Sequence, residues 1–115
     1  MFNNEKPIYV QLYEIIALDI VTGKYKTGEK IPSVREMSTI YKVNPNTVQK
    51  ALNELEGNEL IYTERTNGKF VTSDKKKIDS YLQKIAKEKT VSYFNDMRSL
   101  GYEEKEIISM IERIK

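Results

Sequence analysis

The sequence has no cysteine and no histidine among its 115 residues. Without cysteine there can be no disulfide, no thiolate metal site and no cysteine nucleophile. Without histidine, the commonest general base and metal ligand is missing. Long apolar runs are also absent, because no stretch approaches the roughly 20 residues of a membrane span. The start, MFNNEKPIYV, lacks the basic and apolar regions of a signal peptide, so we expect a cytoplasmic protein without a membrane partner.

Neither sign of charge is in clear excess. Charged residues make up 31% of the chain, but the net charge is only +2, so charge alone indicates no class of partner. The sequence also lacks a glycine-rich phosphate loop, a metal-ligand cluster and a nucleophile with a histidine partner. We therefore predict that the protein is not an enzyme and that it has no cofactor and no metal.

Apolar periodicity predicts two helices before residue 42. The first covers residues 7–22, and the second covers 33–41 and begins at Ser33, whose spacing from Glu36 is that of a capping box. The expected core positions are Ile8, Leu12, Ile15, Ile16 and Ile20 in the first helix and Val34, Met37 and Ile40 in the second.

The stretch VNPNTVQKALNEL, residues 43–55, predicts a third helix with two contrasting faces. Asn44 suits the N-cap and Pro45 the first helical position, and Gly57 or Asn58 offers a left-handed residue to end the helix. One face forms an apolar stripe of Val48, Ala51, Leu52 and Leu55, and the opposite face carries Asn46, Gln49, Lys50 and Asn53. Amide side chains can donate to and accept from the edge of adenine, and lysine can reach guanine or phosphate. We therefore interpret the second face as a base-reading surface. The alternative is an ordinary solvated face.

Two β-prone runs, LIYTE and KFVTS, are joined by RTNG, and the Asn67-Gly68 pair predicts a hairpin. Three helices followed by a hairpin make a winged helix-turn-helix, in which the second helix of the pair enters the major groove. Arg65 and Lys69 flank the hairpin tip, where they would meet the minor groove or the DNA backbone, unless they are basic only for solubility.

Two further residues have an open choice of role. Arg35 lies on the exposed side of the second helix, where it would contact phosphate or guanine; an ion pair with Glu36 or another acid is the alternative. Thr47 would donate to a phosphate or bond back within its own helix.

After Asp74 the chain becomes strongly charged and predicts two amphipathic helices separated by Gly101. Their wide apolar stripes indicate a partner surface, which we interpret as a dimerisation arm. The residues expected at the dimer interface are Ile78, Leu82, Ile85, Tyr93, Met97, Leu100, Ile107, Met110, Ile111 and Ile114.

Residues 23–71 resemble the DNA-binding domain of GntR-family transcription regulators. The resemblance rests on three ordered motifs, GKYKTGEKIPSVRE, VNPNTVQKAL and GKFV, and the short tail resembles the small YtrA-type subfamily. The sequence departs from the family pattern at Asn44-Pro45, where many members have Ser-Arg, and at Glu59 and Thr66, where glycine is usual. The DNA contacts that the resemblance implies are Arg35, Asn44, Asn46, Thr47, Gln49, Thr66, Asn67, Gly68 and Lys69.

The predicted fold is mainly α with a small β-hairpin: a winged helix-turn-helix domain at 1–72, then a two-helix dimerisation arm at 73–115. The predicted function is a sequence-specific DNA-binding transcription regulator, a dimeric repressor binding double-stranded DNA at a pseudo-palindromic operator. The sequence leaves any effector unknown. The alternative is a winged-helix module whose polar face binds a protein.

Overall fold

Residues 2–114 are described by a computed structural model, and they form five helices and two strands. In chain order these are α1 (Ile8–Val21), α2 (Val34–Tyr41), α3 (Pro45–Gly57), β1 (Ile61–Glu64), β2 (Gly68–Val71), α4 (Lys75–Ser99) and α5 (Glu104–Arg113). The mainly α fold with one hairpin is therefore confirmed. Met1 and Lys115, which the predicted ranges include, lie outside the described residues.

Side-chain caps fix the start of α2 and of α3. The Ser33 hydroxyl accepts a hydrogen bond from the Glu36 N–H at 3.1 Å, and the Ser33 N–H donates to the Glu36 carboxylate at 2.9 Å. This is the predicted capping box. The Asn44 side-chain oxygen accepts from the Asn46 N–H at 2.8 Å, and Pro45 is the first residue of α3. Both helix starts are confirmed.

The core is built around α3, which packs against α1, α2 and β1. The whole predicted stripe of α3 is fully buried, together with Leu12 and Ile16 of α1 and Met37 of α2. Two predicted core residues are wrong, because Ile8 is 45% and Ile40 60% exposed. Ile8 is the first residue of α1, one turn before the buried Leu12, and Ile40 lies in the last turn of an eight-residue helix.

The end of α3 differs from the prediction. Neither Gly57 nor Asn58 is left-handed; Glu59 has φ +60° instead. The Leu60 N–H donates to the Leu55 carbonyl and the Glu59 N–H to the Glu56 carbonyl, both at 3.0 Å. These two bonds form a Schellman motif, and its geometry places the left-handed residue at Glu59 at a cost of about 1 kcal/mol for a residue with a Cβ.

The hairpin pairs Ile61 with Val71 and Glu64 with Gly68, which leaves a three-residue turn at 65–67. Gly68 has φ +107°, a conformation that favours glycine. The preceding connection adds to the other edge of β2, since the Ile31 N–H donates to the Lys69 carbonyl at 3.0 Å. The backbone of the wing is thus held from both sides.

The chain divides into two compact units, Met1–Ser80 and Tyr81–Lys115. The first includes the start of α4, where Ile78 is 7% exposed and Lys77 pairs with Glu59 at 2.9 Å, a bond that raises the pKa of Lys77. In the second, Gly101 has φ +97° and follows α4 in another Schellman motif, as predicted. None of the helices within 2–114 has the length and apolar composition that crossing a membrane requires.

Two leucines of α1 provide a matched test of this core. We expect Leu12→Ala to lower the free energy of unfolding by about 2–5 kcal/mol, because Leu12 is fully buried and its loss leaves a cavity. Leu18→Ala on the same helix should change it by less than about 0.5 kcal/mol, because Leu18 is 60% exposed. Urea unfolding followed by circular dichroism measures both. Equal losses would contradict the packing of α1.

Candidate nucleic-acid interface

The outer face of α3 is exposed and lined with amides. Asn46, Gln49 and Asn53 are all exposed, and the Gln49 amide nitrogen donates to the Asn53 side-chain oxygen at 2.9 Å. Within residues 2–114 this is the one hydrogen bond that these three side chains form, so their remaining donors and acceptors face solvent. This is the arrangement that base-edge recognition needs.

The remaining predicted residues of α3 and its cap are placed differently. The Asn44 side chain caps the helix, so it has a structural partner of its own. The Lys50 ammonium lies 5.4 Å from the centre of the Tyr9 ring of α1, a cation–π distance. Thr47 is half-buried in the first turn, and its N–H bonds to the Asn44 carbonyl at 2.9 Å.

Arg35 is exposed beside the start of α2. The predicted alternative for it, an ion pair with Glu36 or another acid, does not occur among residues 2–114. Glu36 instead bonds to Ser33, and these hydrogen bonds, above all the one from the Ser33 backbone N–H, lower the pKa of the Glu36 carboxyl. The guanidinium of Arg35 therefore has no acidic competitor in the described part of the chain.

The wing tip consists of Arg65, Thr66 and Asn67, all exposed. The Asn67 amide donates to the Glu64 carboxylate at 3.0 Å, which orders the turn. At Gly68 a Cβ would lie 3.1 Å from the Cε of Lys30, so the lysine stem covers the glycine. The tip thus offers Arg65 as its cation.

Lys69 was predicted to contact DNA, but its ammonium has partners within the chain. It donates to the Thr63 hydroxyl at 2.8 Å and lies 3.3 Å from a Glu56 carboxylate oxygen. Neither partner could be recognised from spacing alone. Thr63 lies opposite Lys69 only in the register that the three-residue turn creates, and Glu56 lies at the end of another element.

The ten predicted dimerisation residues fall into two groups. Ile78 is 7% exposed and Ile107 is 2% exposed, so both side chains are already covered within a single chain. The other eight are exposed or half-buried: Leu82, Ile85, Tyr93, Met97, Leu100, Met110, Ile111 and Ile114.

A helix with an exposed amide face, preceded by a capped helix with an exposed arginine and followed by a basic-tipped hairpin, is typical of the winged helix-turn-helix DNA-binding proteins. The model of the family described as "Bacterial regulatory proteins, gntR family" matches residues 8–71, more than half of the chain. The chain therefore belongs to the gntR family and is a DNA-binding transcription regulator, not an enzyme.

Two curated relatives come from Bacillus subtilis (strain 168). The HTH-type transcriptional regulator YhcF is 35% identical over 114 residues, which are 99% of this chain and 92% of the relative. The HTH-type transcriptional repressor YtrA is 43% identical over 70 residues, which are 61% of this chain and 54% of that protein. The likeness to YtrA thus covers only part of each chain.

Two solved structures extend the comparison. A GntR family transcriptional regulator from Listeria monocytogenes has a TM-score of 0.92 at 42% identity, covering 99% of this chain and all of the other. The DNA-binding domain of AraR in complex with operator ORX1 has a TM-score of 0.59 at 30% identity, covering 63% of this chain and 93% of that one. The second likeness favours a DNA-binding regulator over a protein-binding module.

Variants at Asn44 and Asn46 test whether the Asn44 side chain stabilises the fold as a helix cap. We expect Asn44→Ala to lower the free energy of unfolding by about 1 kcal/mol, because the Asn46 N–H loses its acceptor. Asn44→Asp keeps the acceptor and should retain most of the stability. Asn46→Ala, an exposed change in the same turn, should stay within about 0.5 kcal/mol of the wild type. Thermal unfolding compares the three; an Asn44→Ala variant as stable as the wild type would remove the capping role.

Proposed function

We propose that this regulator is a repressor that binds a pseudo-palindromic operator as a homodimer in the cytoplasm. In each copy α3 lies in the major groove with its N-terminal end toward the bases, and the wing contacts the adjacent backbone or minor groove. The exposed amide face of α3 is the observation that carries the proposal.

The amides would provide direct readout of sequence. Asn46 and Gln49 lie on the first turns of α3, the part of a recognition helix that reaches deepest into the groove. An asparagine or glutamine can both donate to and accept from the edge of adenine, which discriminates it from the other bases. Asn53, one turn further along, supports the Gln49 amide or reads a flanking base.

The cations would orient the protein on the DNA and would not read its base sequence. Arg35 and Arg65 are exposed, and neither forms an ion pair within residues 2–114, so each can neutralise a phosphate without first breaking an internal bond. Phosphate contacts of this kind fix the register of the protein on the duplex. Two such contacts give weak binding from one domain, which favours a pair of linked domains.

The arm would form the dimer through its exposed apolar side chains. Leu100 is 70%, Ile111 50% and Ile114 71% exposed in the single chain. A second copy of the chain is the partner we propose, because a closed two-fold pair covers equal patches and places two recognition helices on one face of the duplex. Repression then follows from occupancy of the operator, as the name of the related repressor YtrA suggests.

Selection of binding sites from random duplexes with the full chain tests whether the protein recognises a specific DNA sequence. Once a site is known, we expect Gln49→Ala and Asn46→Ala each to cost about 1–3 kcal/mol there and little on unrelated DNA. Gln83→Ala, an exposed glutamine change on α4, is the matched control and should leave both affinities unchanged. Fluorescence anisotropy measures the affinity of the wild type and of the three variants for both kinds of DNA. Equal losses on both kinds of DNA would mean that the amides touch only the backbone.

Sedimentation equilibrium tests whether the arm forms the dimer. We expect Ile111→Asp to weaken dimerisation by on the order of a hundredfold, about 2–3 kcal/mol, because an unpaired carboxylate would be buried. Lys105→Asp adds the same side chain to an exposed position of α5 and should leave the dimer intact. A wild-type monomer, or an Ile111→Asp dimer as tight as the wild type, would rule out this role for the arm.

A further inference from the structure

A cluster of three side chains connects the wing to the recognition helix. Glu56 belongs to the last turn of α3, Thr63 to β1 and Lys69 to β2. The Thr63 hydroxyl donates to a Glu56 carboxylate oxygen at 2.9 Å and accepts from the Lys69 ammonium at 2.8 Å. The same ammonium lies 3.3 Å from the same carboxylate oxygen. The three groups therefore form a closed hydrogen-bonded ring.

The ammonium of Lys69 is the covered member of this ring. Its side chain is 20% exposed, whereas the Glu56 side chain is 42% exposed. A cation that is to neutralise phosphate should be free to extend into solvent, as Arg65 is at the wing tip. If Lys69 left its two partners to reach DNA, the Glu56 carboxylate would remain uncompensated near a polyanion, which is electrostatically unfavourable.

The ring adds a connection that the backbone of the hairpin does not provide. On one edge of β2 the Lys69 carbonyl accepts from the Ile31 N–H at 3.0 Å. On the side of α3 the strands are joined to the helix by the turn at 58–60 and by the burial of Ile61. The Lys69 side chain bonds to Thr63 of β1 and reaches Glu56 of α3, so it links the hairpin to the recognition helix.

We propose that Lys69, with Thr63 and Glu56, is a positioning residue for DNA binding and not a DNA contact. The ring holds the wing at a fixed orientation to α3, so that Arg65 meets the duplex at the same time as α3 enters the groove. This inference rests on the proposed function, because it assumes that the wing and α3 engage one site together.

The most decisive test is whether Glu56→Ala weakens or tightens DNA binding. The probe is the duplex selected from random sequence by the wild-type chain, and the readout is its dissociation constant. We expect Glu56→Ala, Thr63→Val and Lys69→Ala each to weaken binding about two- to tenfold, because each opens the same ring. If Lys69 were a phosphate contact, Glu56→Ala would instead tighten binding by removing a negative charge and freeing the cation.

A charge exchange gives a second, independent test. The double variant Glu56→Lys with Lys69→Glu can rebuild an ion pair between α3 and β2, and we expect it to bind more tightly than either single exchange. A phosphate-contacting Lys69 would make the double variant bind less tightly than Glu56→Lys alone, because the single variant adds a cation and keeps Lys69. Lys105→Ala, which removes a cation from α5, is the control and should leave binding unchanged.

The outcomes distinguish this inference from the function on which it rests. Failure of the wild-type chain to select any sequence would overturn the reading function. Selection by the wild type, combined with tighter binding by Glu56→Ala or with no recovery in the charge exchange, would overturn only the positioning role. Thermal unfolding confirms that each variant is folded, and Thr63→Val retains a β-branched shape suited to its strand.

Discussion

Burial of one face of α3 is the constraint on which the interface depends. Val48, Ala51, Leu52 and Leu55 all have no accessible surface, and α1, α2 and β1 pack around the helix. Because a helix repeats every 3.6 residues, fixing four apolar side chains in the core also fixes which side chains point outward. The core therefore determines that the amides of α3 lie on the outer face. Any rotation of α3 that displaced them would first have to expose leucine.

Local features of the sequence were sufficient to predict much of this structure. The capping box at Ser33, the cap at Asn44 and the glycine after α4 depend on neighbours within a few residues, and the structure confirms all three. The apolar stripe of α3 was predictable for the same reason, because its helical period is visible in the amino-acid sequence. The order of three helices and a hairpin then limits the fold to very few arrangements.

Features that depend on the geometry of the folded backbone were not predictable from residue type. Glu59 takes the left-handed position because two backbone bonds select it, although glycine and asparagine stand immediately before it. Ile40 is apolar enough for the core, but it lies in the last turn of a short helix and is 60% exposed. Lys69 looks like a free wing cation until the register of the hairpin places Thr63 opposite it. In each case the deciding factor is where the folded backbone places the residue, and residue type alone does not encode that position.

If α3 reads bases as proposed, the bond between Gln49 and Asn53 has a consequence for how the protein searches a genome. On unrelated DNA these two amides would keep each other as partners, so the donor and the acceptor of that bond would not be left unpaired between protein and duplex. The protein would then meet a lower barrier at each mismatched base pair while electrostatic attraction holds it to the DNA backbone. At the operator the bases would have to replace a bond that already exists, which would offset part of the gain in binding free energy. Faster sliding would thus come with a smaller ratio between specific and non-specific affinity.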